Sequence, residues 1–194
     1  LIVPIGKYVI KQALCFLNQW QNIQHQKYTI SVNLSPRQFR HNELLRFLKN
    51  TLTEENVNPE SLELEITEGV LMSAQSYINE AVAEINDLGI KLAMDDFGTG
   101  YSSISYLRQY PFDVLKIDRS FIHGITLNKA DCDLVKAIIT MSHSLGLTVV
   151  AEGVETEEQL KLLEELSCNF VQGYYFSKPI PAQQLLDFSV NHFK

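Results

Sequence analysis

The chain has 194 residues, 45% of them hydrophobic, enough for one substantial core and too few for two typical domains. A net charge of −7 excludes a general nucleic-acid binder, which carries a basic footprint, so no DNA partner is expected; an acidic protein still binds phosphate when divalent cations stand between the charges. No uninterrupted apolar run approaches the roughly 20 residues of a membrane helix, and Cys15, Cys132 and Cys168, widely spaced with no CxxC pair, read as reduced thiols.

The opening Leu1-Ile2-Val3-Pro4-Ile5 lacks the basic region and cleavage site of a signal peptide, and it lacks an initiator methionine. Residue 1 therefore reads as a cut inside a longer protein. Strands are predicted at Tyr28–Leu34, Leu62–Thr67, Lys91–Met94, Val114–Ile117, Thr148–Ala151 and Phe170–Tyr174. They are nearly continuous apolar runs, as expected of strands covered on both faces. Helices fill the gaps. Ile78, Val82, Ile85 and Leu88 recur at helical spacing before Gly89, and Leu134, Ile138, Met141 and Leu145 before Gly146. Thr156 followed by Gln159 reads as a capping box.

Two stretches echo each other. Leu88-Gly89-Ile90-Lys91-Leu92-Ala93-Met94-Asp95 parallels Leu145-Gly146-Leu147-Thr148-Val149-Val150-Ala151-Glu152: helix end, glycine turn, buried strand, acid at the exit. Such units predict a parallel α/β fold, either a (β/α)8 barrel or a doubly wound sheet. No GxGxxG or GxxxxGK[ST] follows the first strand, which disfavours the nucleotide-binding open sheet. Six strands where a closed barrel needs eight predict a TIM-like (β/α)8 barrel, truncated, with its first two strands missing.

Every predicted strand ends in polar groups: Asn33; Glu65 with Glu68; Asp95 and Asp96; Lys116 and Asp118; Glu152 with Glu155; and Gln172. In a barrel all these exits share one rim, where barrel enzymes place their active sites. Singly, an acid after a strand is more often a helix cap or a solvated loop residue, and for Glu68, Asp118 and Glu155 the two readings weigh about evenly. Lys116 could simply balance its neighbours. The recurrence at all six exits is what points to chemistry. One lysine does not neutralise Glu65, Asp95, Asp96 and Glu152; divalent cations do, and oxygen ligands with one amide suit Mg²⁺ or Mn²⁺ rather than zinc. Two such ions about 3.5–4 Å apart are the usual device for displacement at a phosphodiester. The glycine-rich run Phe97-Gly98-Thr99-Gly100-Tyr101-Ser102-Ser103 is either a tight turn or a mobile segment keeping ligands in register, with serines able to cap the next helix.

At these residues the chain resembles the EAL family of bacterial cyclic-di-GMP phosphodiesterases, over essentially all 194 residues. The marks are Ser31-Val32-Asn33-Leu34-Ser35, Leu64-Glu65-Ile66-Thr67-Glu68, the run from Asp95 to Ser103, Lys116-Ile117-Asp118, Ala151-Glu152-Gly153-Val154-Glu155 and Gln172-Gly173-Tyr174. The resemblance implies one EAL-type domain over 1–194, containing the C-terminal six βα units. It implies hydrolysis of cyclic-di-GMP to linear pGpG at a two-metal site holding Mg²⁺ or Mn²⁺. Asn33, Glu65, Asp95, Asp96, Asp118 and Glu152 would ligate metal. Glu152 and Lys116 would handle the attacking water. Gln172, Glu155 and Glu68 would serve the substrate or support the site, Glu68 by anchoring the glycine loop. A homodimer, flanking sensory or GGDEF-type domains and a cytoplasmic location follow from the same resemblance.

The departures are Gly69, where the family often has serine, and the name-giving Glu-Ala-Leu motif, which occurs nowhere in the chain. Leu1 to Gly6 resembles the segment that normally follows that motif, so truncation is the expected account. The alternatives to an active enzyme are a degenerate cyclic-di-GMP receptor and a partner-binding scaffold. The 194-residue chain alone, with apolar barrel edges open, is expected to be weakly active or inactive.

Overall fold

The computed structural model describes residues 1–39, 43–72, 76–98 and 104–192. In chain order it contains α1 (Ile2–Gln24), β1 (Ile30–Asn33), α2 (Pro36–Phe39), α3 (Leu44–Glu54), β2 (Leu62–Thr67), α4 (Glu68–Met72), α5 (Ser76–Asp87) and β3 (Lys91–Phe97). There follow α6 (Ile104–Gln109), β4 (Val114–Ile117), α7 (Arg119–Ile122), α8 (Lys129–Ser144), β5 (Thr148–Glu152), α9 (Glu157–Glu165), β6 (Phe170–Gln172) and α10 (Ala182–His192). All six predicted strands form, two of them with the predicted bounds. The others end one to three residues from prediction, where side-chain polarity does not mark the last ladder bond.

The molecule divides into two compact units. The first gathers Leu1–Glu65, Ala74–Lys91 and Pro179–Lys194. Here β1 lies parallel to β2 with Ser31 opposite Glu63 and Asn33 opposite Glu65. The long α1 buries Ile10, Leu14 and Leu17, and α3 buries Leu44, Leu48 and Leu52, each at helical spacing. Trp20 stacks on Tyr28 at 3.9 Å between centroids and donates its indole N–H to Ser189 Oγ at 3.1 Å, tying α1 to α10. On α5, Ile78, Val82 and Ile85 are fully buried as predicted, and Gly89 adopts φ +80° just past its end.

The second unit gathers Ile66–Ser73 and Leu92–Lys178. Strands β3, β4, β5 and β6 run parallel in that order, and β4 is buried at every residue. Two expectations need correction here. The buried stripe of α8 is Val135, Ile138, Ile139 and Ser142, while Leu134 and Leu145 are 44% and 36% exposed, so the helix is turned about one residue from the predicted face. Both faces were also expected to be covered in every strand, yet β6 leaves Phe170 exposed. Four apolar residues spaced three or four apart fit several stripes, and only the sheet beneath α8 selects among them.

The capping box is present as read: Gln159 N–H donates to Thr156 Oγ1 at 3.2 Å, and Gln159 Oε1 accepts from Thr156 N–H at 3.1 Å. Gln159 Nε2 also donates to the Ile122 carbonyl at 3.2 Å, joining α9 to the end of α7. Thr156→Ala is expected to destabilise the protein by about 1 kcal/mol, roughly 2–4 °C in Tm, in a thermal melt. An unchanged melt would show that the cap adds nothing beyond what packing holds.

Candidate metal centre and adjoining cleft

In the first unit the parallel register brings Asn33 and Glu65 side by side. Asn33 Nδ2 donates to Glu65 Oε2 at 2.7 Å, and Glu65 is buried. One step down the same strand faces, Ser31 Oγ donates to Glu63 Oε1 at 2.8 Å. Period-two alternation puts Ser31 and Asn33 on one side of β1 and Glu63 and Glu65 on the matching side of β2, so two polar rungs stack between apolar neighbours.

The second unit solves a problem that adjacent acids pose. On a regular strand Asp95 and Asp96 would point to opposite faces. The β3–β4 register shifts between Met94 and Phe97, three residues of β3 spanning two of β4, and Asp96 adopts φ +55°. Aspartate is among the few residues other than glycine that occupy this left-handed region readily. The bulge brings both acids to one place: carboxylate oxygens of Asp95, Asp96 and Glu152 all lie within 4.8 Å of one another.

Lys116 is the counter-charge. Buried on β4, it lies 2.6 Å from Glu152 Oε1 and 3.3 Å from Asp95 Oδ1. The second approach is an ion pair without hydrogen-bond geometry, since Asp95 Oδ1 is buried with no hydrogen-bond partner. Burial, then the negative charges of Asp95 and Asp118, push the Asp96 carboxyl above its usual range, and Lys116 only partly offsets them.

This donor set fits a hard divalent cation. It offers oxygen only, it is over-supplied with negative charge, and it holds one buried carboxylate oxygen without a hydrogen-bond partner. No histidine or cysteine belongs to the cluster.

Beside the acids lies an open cleft of about 420 Å³, walled by the exits of β3 to β6: Asp96, Asp118, Glu152, Glu155 and Gln172 among predicted residues. Glu152 sits opposite Gln172 in the β5–β6 register. Beyond the ladder, Val154 N–H donates to the Gln172 carbonyl at 3.1 Å and Tyr175 N–H to the Val154 carbonyl at 3.0 Å. A Cβ on Gly173 would run into the Val154 main chain, so only glycine permits this close passage. A larger cleft of about 590 Å³ in the first unit, walled by Lys49, Thr53, Asn56 and Leu88, contains no acid and no pair of catalytic groups.

Asp118 fills the role weighed against ligation as well as standing at the cleft. It caps α7, its Oδ1 accepting from Ser120 N–H at 3.0 Å. Burial raises its pKa, but the hydrogen bonds from Ser120 and Arg119 and the Arg119 charge outweigh that and hold it below the usual range. Glu155 is exposed at the cleft wall, its N–H donating to Gln159 Oε1 at 2.8 Å. Glu68 is buried in the first turn of α4 and does not line the cleft. Of its expected partner, the glycine-rich run 97–103, residues 99–103 lie outside the described residues, and with them the serine caps read there. Arg119, Gly153 and Tyr174 also line the cleft and were not singled out as site residues from sequence. The signal for Arg119 was its place directly after the strand-exit Asp118.

Matched to known families, residues 1–179 fit the EAL domain model. This chain belongs to the EAL domain family. It is 40% identical over 186 residues to the bifunctional diguanylate cyclase/cyclic di-GMP phosphodiesterase MucR of Pseudomonas aeruginosa, covering 96% of this chain and 27% of MucR. The chain spans about a quarter of the length of the curated relatives it matches. Its structure superposes on the PaMucR phosphodiesterase in its c-di-GMP complex with a TM-score of 0.88 at 39% identity, over 95% of this chain and 74% of that one. It also superposes on Klebsiella pneumoniae BlrP1 in a manganese/cyclic-di-GMP complex with a TM-score of 0.84 at 28% identity, over 91% and 45% of the two chains. The fold class is α/β, of the TIM-like barrel type of these EAL structures, as expected from the sequence. No helix among the described residues is long and apolar enough to cross a membrane.

Proposed function

We propose that this EAL domain, spanning residues 1–194, hydrolyses cyclic-di-GMP to linear pGpG in bacterial signalling, with Mg²⁺ or Mn²⁺ as cofactor. The single observation that carries the reading is the convergence of Asp95, Asp96 and Glu152 around buried Lys116 beside an open cleft. The relatives named for this substrate, and the manganese in one neighbouring structure, support the choice of ligand and metal.

Asp95, Asp96 and Glu152 are the ligands best grouped by geometry. Asp118, through its remaining carboxylate oxygen, joins the proposed set, and Asn33 and Glu65, paired on β1 and β2, are proposed as ligands from the family resemblance alone. When bound, Mg²⁺ or Mn²⁺ would acidify water and offset the negative charge of the phosphate. Glu152 accepts the proton of the attacking water, its carboxylate held by the Lys116 ammonium 2.6 Å away. The water oxygen bonds to phosphorus, one P–O ester bond breaks, and the departing ribose oxygen takes a proton, so the ring opens with net addition of one water. Lys116 also faces Asp95, which fixes both acids in one orientation. Gln172 and Glu155 contact substrate from the cleft, and buried Glu68 supports the site from α4. A cytoplasmic setting, a homodimer and GGDEF-type neighbouring domains belong to the same proposal.

The test is turnover of cyclic-di-GMP by the full-length protein with Mg²⁺ or Mn²⁺, with pGpG resolved by chromatography and a chelator as control. The expected result is metal-dependent release of pGpG that stops when the metal is removed. A folded protein that binds the dinucleotide without cutting it would make this domain a receptor instead.

A further inference from the structure

Strand β4 carries Lys116 and stands between β3 and β5, whose ends carry the acids. The short helix that leaves β4, α7, meets both of those exits, each at a glycine beside a proposed ligand. On the β3 side, a Cβ built on Gly98 (φ +99°) would come 2.5 Å from Phe121 Cε2 and 2.6 Å from Cζ. The ring thus lies directly on the main chain two residues past Asp96. On the β5 side, a Cβ on Gly153 (φ +75°), one residue past Glu152, would come 2.5 Å from Arg119 Cβ and 3.3 Å from its Cα. Glycine at both positions lets α7 sit this close. The helix is also tied at its two ends. Asp118 Oδ1 accepts from Ser120 N–H at 3.0 Å, and the Ile122 carbonyl accepts from Gln159 Nε2 at 3.2 Å. Gln159 is buried, and its Oε1 takes the Glu155 and Thr156 N–H groups at 2.8 and 3.1 Å, joining the loop after β5 to the same helix.

Four helical residues do not hold a helix together on their own, so α7 takes its rigidity from these contacts. Its position matters because β3 and β5 are two ladder steps apart, about 9–10 Å. Carboxylate oxygens of Asp95, Asp96 and Glu152 nevertheless lie within 4.8 Å of one another. Acids that reach across such a gap meet only while their strand exits keep their spacing. Like charge pushes those exits apart, and a bound cation pulls them together. Resting on the reading of this cluster as a metal centre, we infer that α7 is the spacer between the β3 and β5 exits, with Phe121 as the residue that positions Asp96 for a divalent cation. Phe121 is half-buried and does not line the cleft, so it acts through the Gly98 main chain and touches neither metal nor substrate. Donors held in place bind an ion more tightly than donors that must first be gathered, because their ordering precedes the ion's arrival.

The experiment titrates Mn²⁺ by calorimetry into full-length wild type, Phe121→Leu, Phe121→Ala and Ile139→Ala, and records melts of the metal-free proteins. Leucine keeps the stem of the side chain and removes Cε2 and Cζ, the ring atoms that lie on Gly98. Phe121→Leu is therefore expected to weaken Mn²⁺ binding roughly 10–100-fold, as losing an outer partner of a metal site does, with a melt close to wild type. Phe121→Ala is expected to show at least the same loss of affinity with a lower melt. Ile139→Ala, which empties a buried position on α8, is expected to lower the melt while leaving Mn²⁺ affinity at the wild-type value. At saturating Mn²⁺ the two Phe121 variants are expected to lose kcat while KM for cyclic-di-GMP stays within about twofold, because the ring does not line the cleft. Unchanged Mn²⁺ affinity in Phe121→Leu, or an equal loss in Ile139→Ala, would overturn the inference and leave the ring a packing group. If wild type binds Mn²⁺ but does not cut cyclic-di-GMP, the phosphodiesterase reading fails and the titrations still decide the role of Phe121. A wild type that binds no Mn²⁺ overturns both.

Discussion

Lys116→Met is expected to lower the stability of the metal-free protein by about 3–5 kcal/mol and to abolish turnover. The lysine side chain is 6% exposed, and its partners Asp95 and Glu152 are 11% and 19% exposed, so solvent screens the pairs weakly. Methionine matches the length and the apolar stem but removes the charge, leaving the buried Asp95 carboxylate and the partly buried Glu152 carboxylate without their shared counter-ion. Such a cost is the penalty of stranding charge, not the net worth of the ion pairs. For a chain of this size the loss corresponds to roughly 6–20 °C in Tm. Added Mn²⁺ is expected to recover more stability in the variant than in wild type, because metal then becomes the main counter-charge to the acids. A melt within about 1 °C of wild type would mean that the acids find other partners and that Lys116 is dispensable to the site's architecture.

Asp96→Asn should separate stability from function. Asparagine keeps the size of the side chain and tolerates the left-handed backbone at φ +55°, so the bulge survives. The pKa of Asp96 is raised in the folded state by burial, then by Asp95 and Asp118, so its ionised form costs stability at any pH above both the folded and unfolded values. That cost fades as pH falls through the raised folded value and is absent below the unfolded one. The variant is therefore expected to melt higher than wild type at neutral pH without metal, with the difference vanishing in acid. Activity should fall by more than the roughly 10–100-fold typical of losing an outer partner of a metal site, since a proposed metal ligand itself loses its charge. Melts at two pH values and a turnover assay check both halves; a variant that is destabilised at neutral pH, or that retains activity, contradicts the assignment.

The two variants bear on one design. A cluster of acids that is strained when empty becomes favourable when metal arrives, so binding energy offsets a cost built into the fold. Lys116 limits that cost, while the Met94–Phe97 bulge creates it by bringing adjacent aspartates together.

What the sequence determined by itself was the local part. Strand and helix alternation, the glycine stops at Gly89 and Gly146, the Thr156–Gln159 cap and the acids at strand exits all follow from periodicity and turn chemistry, which act within a few residues. So did the family, because its motifs are short and ordered. The tertiary structure decided what depends on partners distant in the chain. The turn of α8 onto Val135 and Ile139 came from the sheet it covers, not from its own pattern. The convergence of Asp95 and Asp96 needed a register shift against β4, and pairing register is a property of two strands rather than one. Arg119 became part of the cleft only because Gly153, 34 positions later, leaves it room. The acids could be named from the sequence; which of them meet, and what faces them, was set by non-local packing.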